Sequence, residues 1–255
     1  MAENETLDDK MPFTEHLEEL RQRLIVCFVA IGVGFVICYF FAKQLFAILM
    51  RPLIQVMPAG DKLIFTALPE AFFTYLKVAF LAGVGLATPV IIYEFWRFIA
   101  PGLYQKERRA LLPIVLFSTF FFVGGALFGY FVVFPFGFKF FIGFASENIK
   151  ALPSIREYLS FAAKLLFAFG LIFELPLFTF FLARLGLVDA KLLRSKQKYA
   201  ILIIFVVAAI LTPPDVVTQI MMSGPLILLY ELSIWIARIF GKKSPAAEEK
   251  EEPAA

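Results

Sequence analysis

Six apolar runs, each bounded by polar or charged residues, divide the chain. A membrane-spanning helix needs about 20 mainly apolar residues, and the runs lack the alternation of apolar and polar residues that is typical of a barrel strand. Because an open sheet would leave backbone groups unsatisfied in lipid, the runs predict helices. The predicted spans are residues 24–41, 78–99, 111–136, 160–182, 199–211 and 220–236. The expected fold class is therefore an all-α integral membrane protein with six transmembrane helices.

Spans five and six are predicted to be short. As a helix, residues 199–211 would be about 20 Å long, whereas the hydrocarbon core of a bilayer is about 30 Å thick. Span six contains Gly224-Pro225, a pair that favours a kink. Short spans are accommodated by thinning of the bilayer or by packing against other helices.

The distribution of charge predicts the orientation. Both termini and the loops after spans two and four carry most of the lysines and arginines. The positive-inside rule places these segments in the cytoplasm, and an even number of spans also requires both termini on one side. Residues 43–77 and 137–159 then lie outside, where we expect them to form ordered caps. The polar first 23 residues predict no cleavable signal peptide.

The polar segment before span one predicts an amphipathic helix over residues 12–23. Phe13, Leu17, Leu20 and Leu24 recur at helical spacing and form one apolar stripe. Glu19 lies away from the stripe, on a face that we expect to be exposed. Two interpretations stay open: a solvated face on which Glu19 pairs with Arg23 one turn later, or a binding site for a basic partner. Residues 1–240 are expected to form one membrane domain, and residues 241–255 a disordered cytoplasmic tail.

Composition limits the function. Hydrophobic residues make up 60% of the 255 residues, above the roughly 45–50% of a soluble domain, and the net charge of +3 gives no indication of a nucleic-acid partner. His16 is the only histidine, and the chain lacks the motifs of metal-dependent and nucleotide-hydrolysing enzymes. We therefore expect no metal, no cofactor and no enzymatic activity. Cys27 and Cys38 are about 16 Å apart along a helix, too far for a disulfide.

Three acids, Glu94, Glu174 and Glu231, lie within predicted spans. An acid that faces lipid is costly, so each is expected to face protein or a cavity. Glu174 lies in mid-span, and Pro176 after it removes a helical hydrogen bond. Its carboxyl group either has a function or only ties helices together. A helix interrupted beside an acid is also typical of a proton-coupled small-solute transporter, which is the alternative function. An intramembrane enzyme is a weaker alternative, because only the polar residues within the spans favour it.

The loop after span two contains another acid. Glu107 follows Pro101-Gly102, which ends the span, and it lies among Lys106, Arg108 and Arg109. The loop is either a stop signal with one neutralising acid or part of a binding site.

Five separated blocks of the sequence resemble the TatC family, the signal-peptide receptors of the twin-arginine protein translocase. The blocks are His16-Leu17-Glu18-Glu19-Leu20-Arg21-Gln22-Arg23, Arg97-Phe98-Ile99-Ala100-Pro101-Gly102-Leu103-Tyr104, Glu107-Arg108-Arg109, Phe173-Glu174-Leu175-Pro176 and Leu211-Thr212-Pro213-Pro214-Asp215. The resemblance covers about residues 12 to 240. It implies a cupped bundle of six helices, in a bacterial cytoplasmic membrane, that binds the Arg-Arg motif of folded cargo proteins at its cytoplasmic face.

The resemblance also implies residue roles and partners. Binding of the signal peptide would fall to Glu19 and Glu107, with Arg21, Arg109 and Phe98 in the same site. Function within the membrane or assembly would involve Glu174, Pro52, Tyr130, Pro213, Asp215 and Gln219. The expected partners are TatA and TatB, in a hetero-oligomer with several copies of the chain. Export would be driven by the proton-motive force.

Overall fold

The computed structural model describes residues 13–58, 63–64, 67–99, 111–144, 152–212 and 216–241. These residues form helices joined by short connections. The helices are α1 (Phe13–Phe40), α2 (Ala42–Ile54), α3 (Glu70–Ile99), α4 (Leu111–Phe128), a π-helical turn (Gly129–Val133), α5 (Phe134–Ile142), α6 (Ile155–Phe173), α7 (Leu175–Arg184), α8 (Ala190–Leu211) and α9 (Val216–Phe240). The predicted tail lies outside the described residues, except for Gly241.

The helices confirm the all-α membrane fold. Five helical segments of the described chain are long and apolar enough to cross a bilayer, and they contain predicted spans one, two, three, four and six. Span five is the second half of α8, whose first half carries Lys191, Arg194, Lys196 and Lys198. Its apolar stretch is therefore short, as expected. Span six lies within the 25-residue helix α9, which continues through Pro225 and extends beyond the prediction at both ends. The expectation of a short sixth span is therefore wrong, because α9 is long and apolar enough to cross a bilayer.

Glycine residues allow the first two long helices to approach closely. Gly34 of α1 and Gly83 of α3 lie at the crossing, where a Cβ atom added to Gly34 would stand 2.6 Å from the carbonyl oxygen of Gly83. Helices in lipid associate through such close backbone packing, because the acyl chains are as apolar as the side chains and the hydrophobic effect does not drive the helices together. The crossing also fixes which residues in the first turns of α1 face the last turns of α3.

Helices α1, α4 and α8 enter the bundle at the end that holds His16, here called the N-terminal end. The opposite end, here called the capped end, is covered by connections that were predicted as ordered caps. Ile64 and Ser154 form an isolated β-bridge there. Glu70 accepts hydrogen bonds from the backbone N–H of Ala67 at 3.2 Å and of Arg156 at 3.0 Å. These contacts tie the two capping connections together.

An apolar cavity of about 350 Å³ lies between helices of the bundle. Its walls come from four helices, with Ile48 of α2, Val78 of α3, Phe122 of α4 and Leu166 of α6 among the lining residues. Few polar groups reach it, so the cavity suits an apolar segment rather than a solute.

Candidate functional site

The N-terminal end of α1 packs against the last turns of α3. Helix α1 runs without a break from the predicted amphipathic segment into span one. Leu17 and Leu24 of the apolar stripe are exposed and face away from the protein. Glu19, in contrast, turns towards α3, and only 25% of its side chain is exposed. The expectation that Glu19 lies on an exposed face is therefore wrong, because Glu19 and Arg23 turn towards α3, whereas Leu17 and Leu24 of the stripe are exposed together with Glu18 and Gln22.

Glu19 and Arg23 form an ion pair one helical turn apart. The predicted pairing of Glu19 with Arg23 is therefore confirmed, although the face that carries it is not solvated, and binding of a basic partner by Glu19 stays a prediction. Arg23 also faces α3, where its Nη1 lies 3.7 Å from Oε2 of Glu94 and donates a hydrogen bond of 3.3 Å to the backbone carbonyl oxygen of Glu94. Arg23 thus lies between two carboxylates from different helices.

His16 and Phe98 complete this cluster. Their rings are stacked with centroids 4.5 Å apart and an interplanar angle of 15°. Nδ1 of His16 lies 3.9 Å from Oε2 of Glu19. The structure therefore brings together Glu19 and Phe98, two residues predicted to bind the same ligand, through the imidazole between them.

Other residues predicted for this site stand apart. Arg21 is exposed and lies on a different face of α1 from Glu19. Glu107 and Arg109 lie outside the described residues. Sequence reasoning did not assign Glu94 to the site, although it did single out this acid as one that must face protein. Spacing along the chain could not indicate this role, because Arg23, the residue that Glu94 contacts, is 71 positions away.

The charges of the cluster do not balance. Glu19 and Glu94 contribute two carboxylates, and Arg23 contributes one guanidinium, so these three groups have a formal charge of −1 when ionised. Oε2 of Glu19 and Nε of Arg23 are buried and lack a hydrogen-bond partner among the described residues. The arrangement is suited to accepting a further cationic donor at an end of the bundle that otherwise carries many exposed basic residues.

Glu174 lies in a second polar cluster, deeper in the bundle. It occupies the break between α6 and α7, and its side chain accepts a hydrogen bond from the hydroxyl of Ser118. Ser118 in turn accepts a hydrogen bond of 3.1 Å from Nε1 of Trp96. All three residues are at least 96% buried. An assembly role in which Glu174 contacts a partner's helix would therefore require the carboxyl group to leave this network.

The remaining described residues predicted for function or assembly make contacts within the chain. Pro52 is buried in α2. Tyr130, in the π-helical turn, donates a hydrogen bond to the α2 backbone. Gln219 of α9 donates through Nε2 to the carbonyl oxygen of Phe205 in α8, at 2.9 Å. Pro213 and Asp215 lie outside the described residues.

Comparisons with known proteins identify relatives over nearly the whole chain. Residues 15–225 match the family model "Sec-independent protein translocase protein (TatC)". A protein of that name from Desulforapulum autotrophicum is 61% identical over 95% of this chain and 90% of its own length. Its counterpart in Magnetococcus marinus is 49% identical over 98% of this chain and 92% of its own.

Solved structures are similar as well. A crystal structure described as the twin arginine translocase receptor TatC superposes with a TM-score of 0.79 and 43% sequence identity. The match covers 88% of this chain and 98% of the crystallised one. A second crystal structure, of the receptor in the detergent DDM, has a TM-score of 0.80.

Proposed function

The chain belongs to the TatC family of Sec-independent protein translocase proteins, and on this premise we propose that it is the signal-peptide receptor of a twin-arginine translocase. The cluster of Glu19, Glu94 and Arg23 at the N-terminal end carries the proposal. It provides two carboxylates for one guanidinium, beside an aromatic pair, on a surface rich in basic residues. A peptide arginine would supply the missing positive charge.

The chemistry of arginine accounts for recognition at this place. A guanidinium presents its donors in a planar fork that a carboxylate binds with two charge-assisted hydrogen bonds, a geometry unavailable to the ammonium of lysine. An exposed pair of this kind contributes only about 0–1 kcal/mol. Because Glu19 is three-quarters buried, the attraction acts in a medium of lower dielectric constant and is stronger.

A second carboxylate would bind the second arginine. Glu107 follows α3, and Phe98 near the end of α3 stacks on His16 beside Glu19. We assign Glu107 to this role. Arg109, two positions after it, and Arg21, on another face of α1 from Glu19, would be cations that repel wrongly placed basic residues. The apolar part of the signal peptide would lie in the apolar cavity lined by α2, α3, α4 and α6.

The setting of the receptor follows from charge and family. Basic residues of the described chain concentrate at the N-terminal end, which supports a cytoplasmic position for both termini in a bacterial inner membrane. TatA and TatB would be the partners in a hetero-oligomer of several copies, and export would draw on the proton-motive force. The chain would act by binding and assembly, without catalysis.

Peptide binding to the purified protein in nanodiscs tests the proposal. We expect an Arg-Arg signal peptide to bind at least about tenfold more tightly than its Lys-Lys counterpart, a difference of about 1.4 kcal/mol. Glu19→Gln and Glu107→Gln should each remove this preference. Glu18→Gln is the matched control, because Glu18 is an exposed neighbour of Glu19. Equal binding of both peptides by the wild type, with no effect of either substitution, would refute the proposed site.

A further inference from the structure

Arg23 occupies the place that the proposed function gives to a peptide arginine. Its Nη2 pairs with Oε1 of Glu19, so the recognition carboxylate is already bound to a guanidinium of the same chain. The same group reaches Glu94 through Nη1, at 3.7 Å from Oε2 and 3.3 Å from the backbone carbonyl oxygen. A ligand for Glu19 therefore has to compete with Arg23.

Glu94 is a second acceptor for the displaced guanidinium of Arg23. Its side chain is only 9% exposed, and that of Arg23 only 11%. A buried charge that loses its partner is strongly unfavourable, whereas exchange of one partner for another preserves the number of ion pairs. Because Arg23 already contacts both carboxylates, a rotation of its side chain would be enough to transfer it fully to Glu94.

We propose that Arg23 is an internal competitor for Glu19, which a peptide arginine displaces onto Glu94. The inference rests on the proposed function, since it assumes that Glu19 binds the Arg-Arg motif. It adds two residues that set the affinity of the site, Arg23 as the competitor and Glu94 as its second acceptor. Oε2 of Glu19, which is buried and lacks a hydrogen-bond donor among the described residues, is the atom at which the exchange begins.

The competition lowers the affinity of the site for any incoming cation. Arg23 reaches Glu19 through Nη2 and Oε1 only, and Oε2 has no hydrogen-bond partner among the described residues. An incoming guanidinium can bind both oxygens through its planar fork, whereas an incoming ammonium replaces the charge only. Because the cost of displacing Arg23 is the same for both cations, its removal should tighten the binding of both peptides and leave the preference of Glu19 for arginine in place.

Two substitutions separate this role from a purely structural one. Arg23→Gln removes the competitor, so we expect both peptides to bind several-fold more tightly, by a similar factor, with the Arg-Arg to Lys-Lys ratio near that of the wild type. Glu94→Gln removes the second acceptor and holds Arg23 on Glu19, so Arg-Arg binding should weaken about tenfold. The double variant should bind like Arg23→Gln, because Glu94 matters only while Arg23 must move. Such suppression is measured by a double-mutant cycle.

The experiment uses the full chain in nanodiscs with the two peptides, and Arg97→Gln serves as the control for loss of an exposed arginine on α3. If Arg23→Gln does not fold, Arg23→Lys replaces it, since an ammonium lacks the two terminal nitrogens through which Arg23 reaches both carboxylates, and this variant should likewise bind both peptides more tightly. Weaker binding by the Arg23 variant, with no suppression of the Glu94→Gln defect, would overturn the exchange. Glu19→Gln is measured alongside: if it abolishes the preference while Glu94→Gln behaves as wild type, only the exchange fails, whereas no wild-type preference at all refutes the proposed function.

Discussion

The phenol hydroxyl of Tyr130 donates a hydrogen bond of 2.6 Å to the backbone carbonyl oxygen of Ile48. Ile48 lies in α2, four residues before Pro52, which is inside the same helix. Proline has no backbone N–H, so the carbonyl group four residues earlier loses its helical donor. Tyr130 supplies the donor that Pro52 cannot. Two of the residues that the family resemblance linked to assembly or function are therefore coupled through one carbonyl group.

This coupling predicts a specific effect of removing the hydroxyl. Tyr130→Phe leaves the Ile48 carbonyl without that donor on a face of α2 that is open to the surroundings, and an acceptor left unsatisfied away from water costs about 1–3 kcal/mol. We expect a lower midpoint of thermal unfolding in detergent micelles. In a Pro52→Ala background, the restored N–H can bond to Ile48, so Tyr130→Phe should have little effect there. Tyr93→Phe, at an exposed tyrosine of α3, is the control. An equal loss in both backgrounds would contradict the coupling.

The apolar runs were sufficient to predict the helices that cross the membrane, because lipid imposes a minimum length and forces the backbone to satisfy its own hydrogen bonds. They were not sufficient for α2, Ala42–Ile54. Its sequence was assigned to an outer cap without a helix, and its order depends on partners from distant helices, such as the hydroxyl of Tyr158, which donates a hydrogen bond of 2.5 Å to the carbonyl oxygen of Leu49.

The candidate site was predictable in part. Family blocks pointed to Glu19 and Phe98, and helical spacing pointed to the Glu19–Arg23 pair. Glu94 was missed as a member of the site because its contact with Arg23 depends on how α1 crosses α3 at Gly34 and Gly83. A single sequence shows spacing along one helix, but it does not show the register between two helices.

The crossing itself is open to a test. Gly83→Ala would place a Cβ atom 2.6 Å from the backbone nitrogen of Phe35 in α1, and neither backbone can move away without separating the helices. We expect Gly83→Ala and Gly34→Ala to lower the unfolding midpoint and the yield of folded protein. Gly85→Ala and Gly32→Ala are controls, because an added Cβ would meet no atom within 4 Å at either position. Since alanine favours a helix over glycine by about 1 kcal/mol, the controls should be neutral or stabilised. Similar losses at all four glycines would refute the proposed importance of this contact.

The fluorescence emission of Trp96 reports on the hydrogen-bond network of Trp96, Ser118 and Glu174. Ser118→Ala removes the acceptor of Trp96 Nε1–H and the donor to Glu174 together, so two buried polar groups lose a partner. We expect destabilisation of a few kcal/mol at most, with about 1–3 kcal/mol for each group, and a shift in the emission of Trp96. The chain has two tryptophans, so the measurement uses a Trp235→Phe background, in which Trp96 is the only emitter.

Ser233→Ala is the matched control for this series. Ser233 is also buried, but its hydroxyl donates to the carbonyl oxygen of Leu229 in its own helix at 2.8 Å. Its loss should change neither the emission of Trp96 nor, by more than a small amount, the stability. An unchanged Trp96 spectrum in Ser118→Ala would show that the indole does not depend on this hydroxyl.

Glu70 links the two connections that cover the capped end. This link predicts that loss of the Glu70 carboxylate causes local unfolding at the capped end. Its Oε1 accepts from the backbone N–H of Arg156 and from the hydroxyl of Ser154 at 3.3 Å, while Oε2 accepts from Ala67. Glu70→Ala removes these acceptors and leaves the β-bridge between Ile64 and Ser154 less supported. We expect faster amide hydrogen exchange at residues 152–156 and little change at the N-terminal end. Glu157→Ala, which removes an exposed carboxylate of α6 close to the same connection, should leave exchange there near wild type. Uniformly faster exchange across the bundle in Glu70→Ala would instead mean that the carboxylate supports the whole fold, because a local cap can release only the segments that it binds.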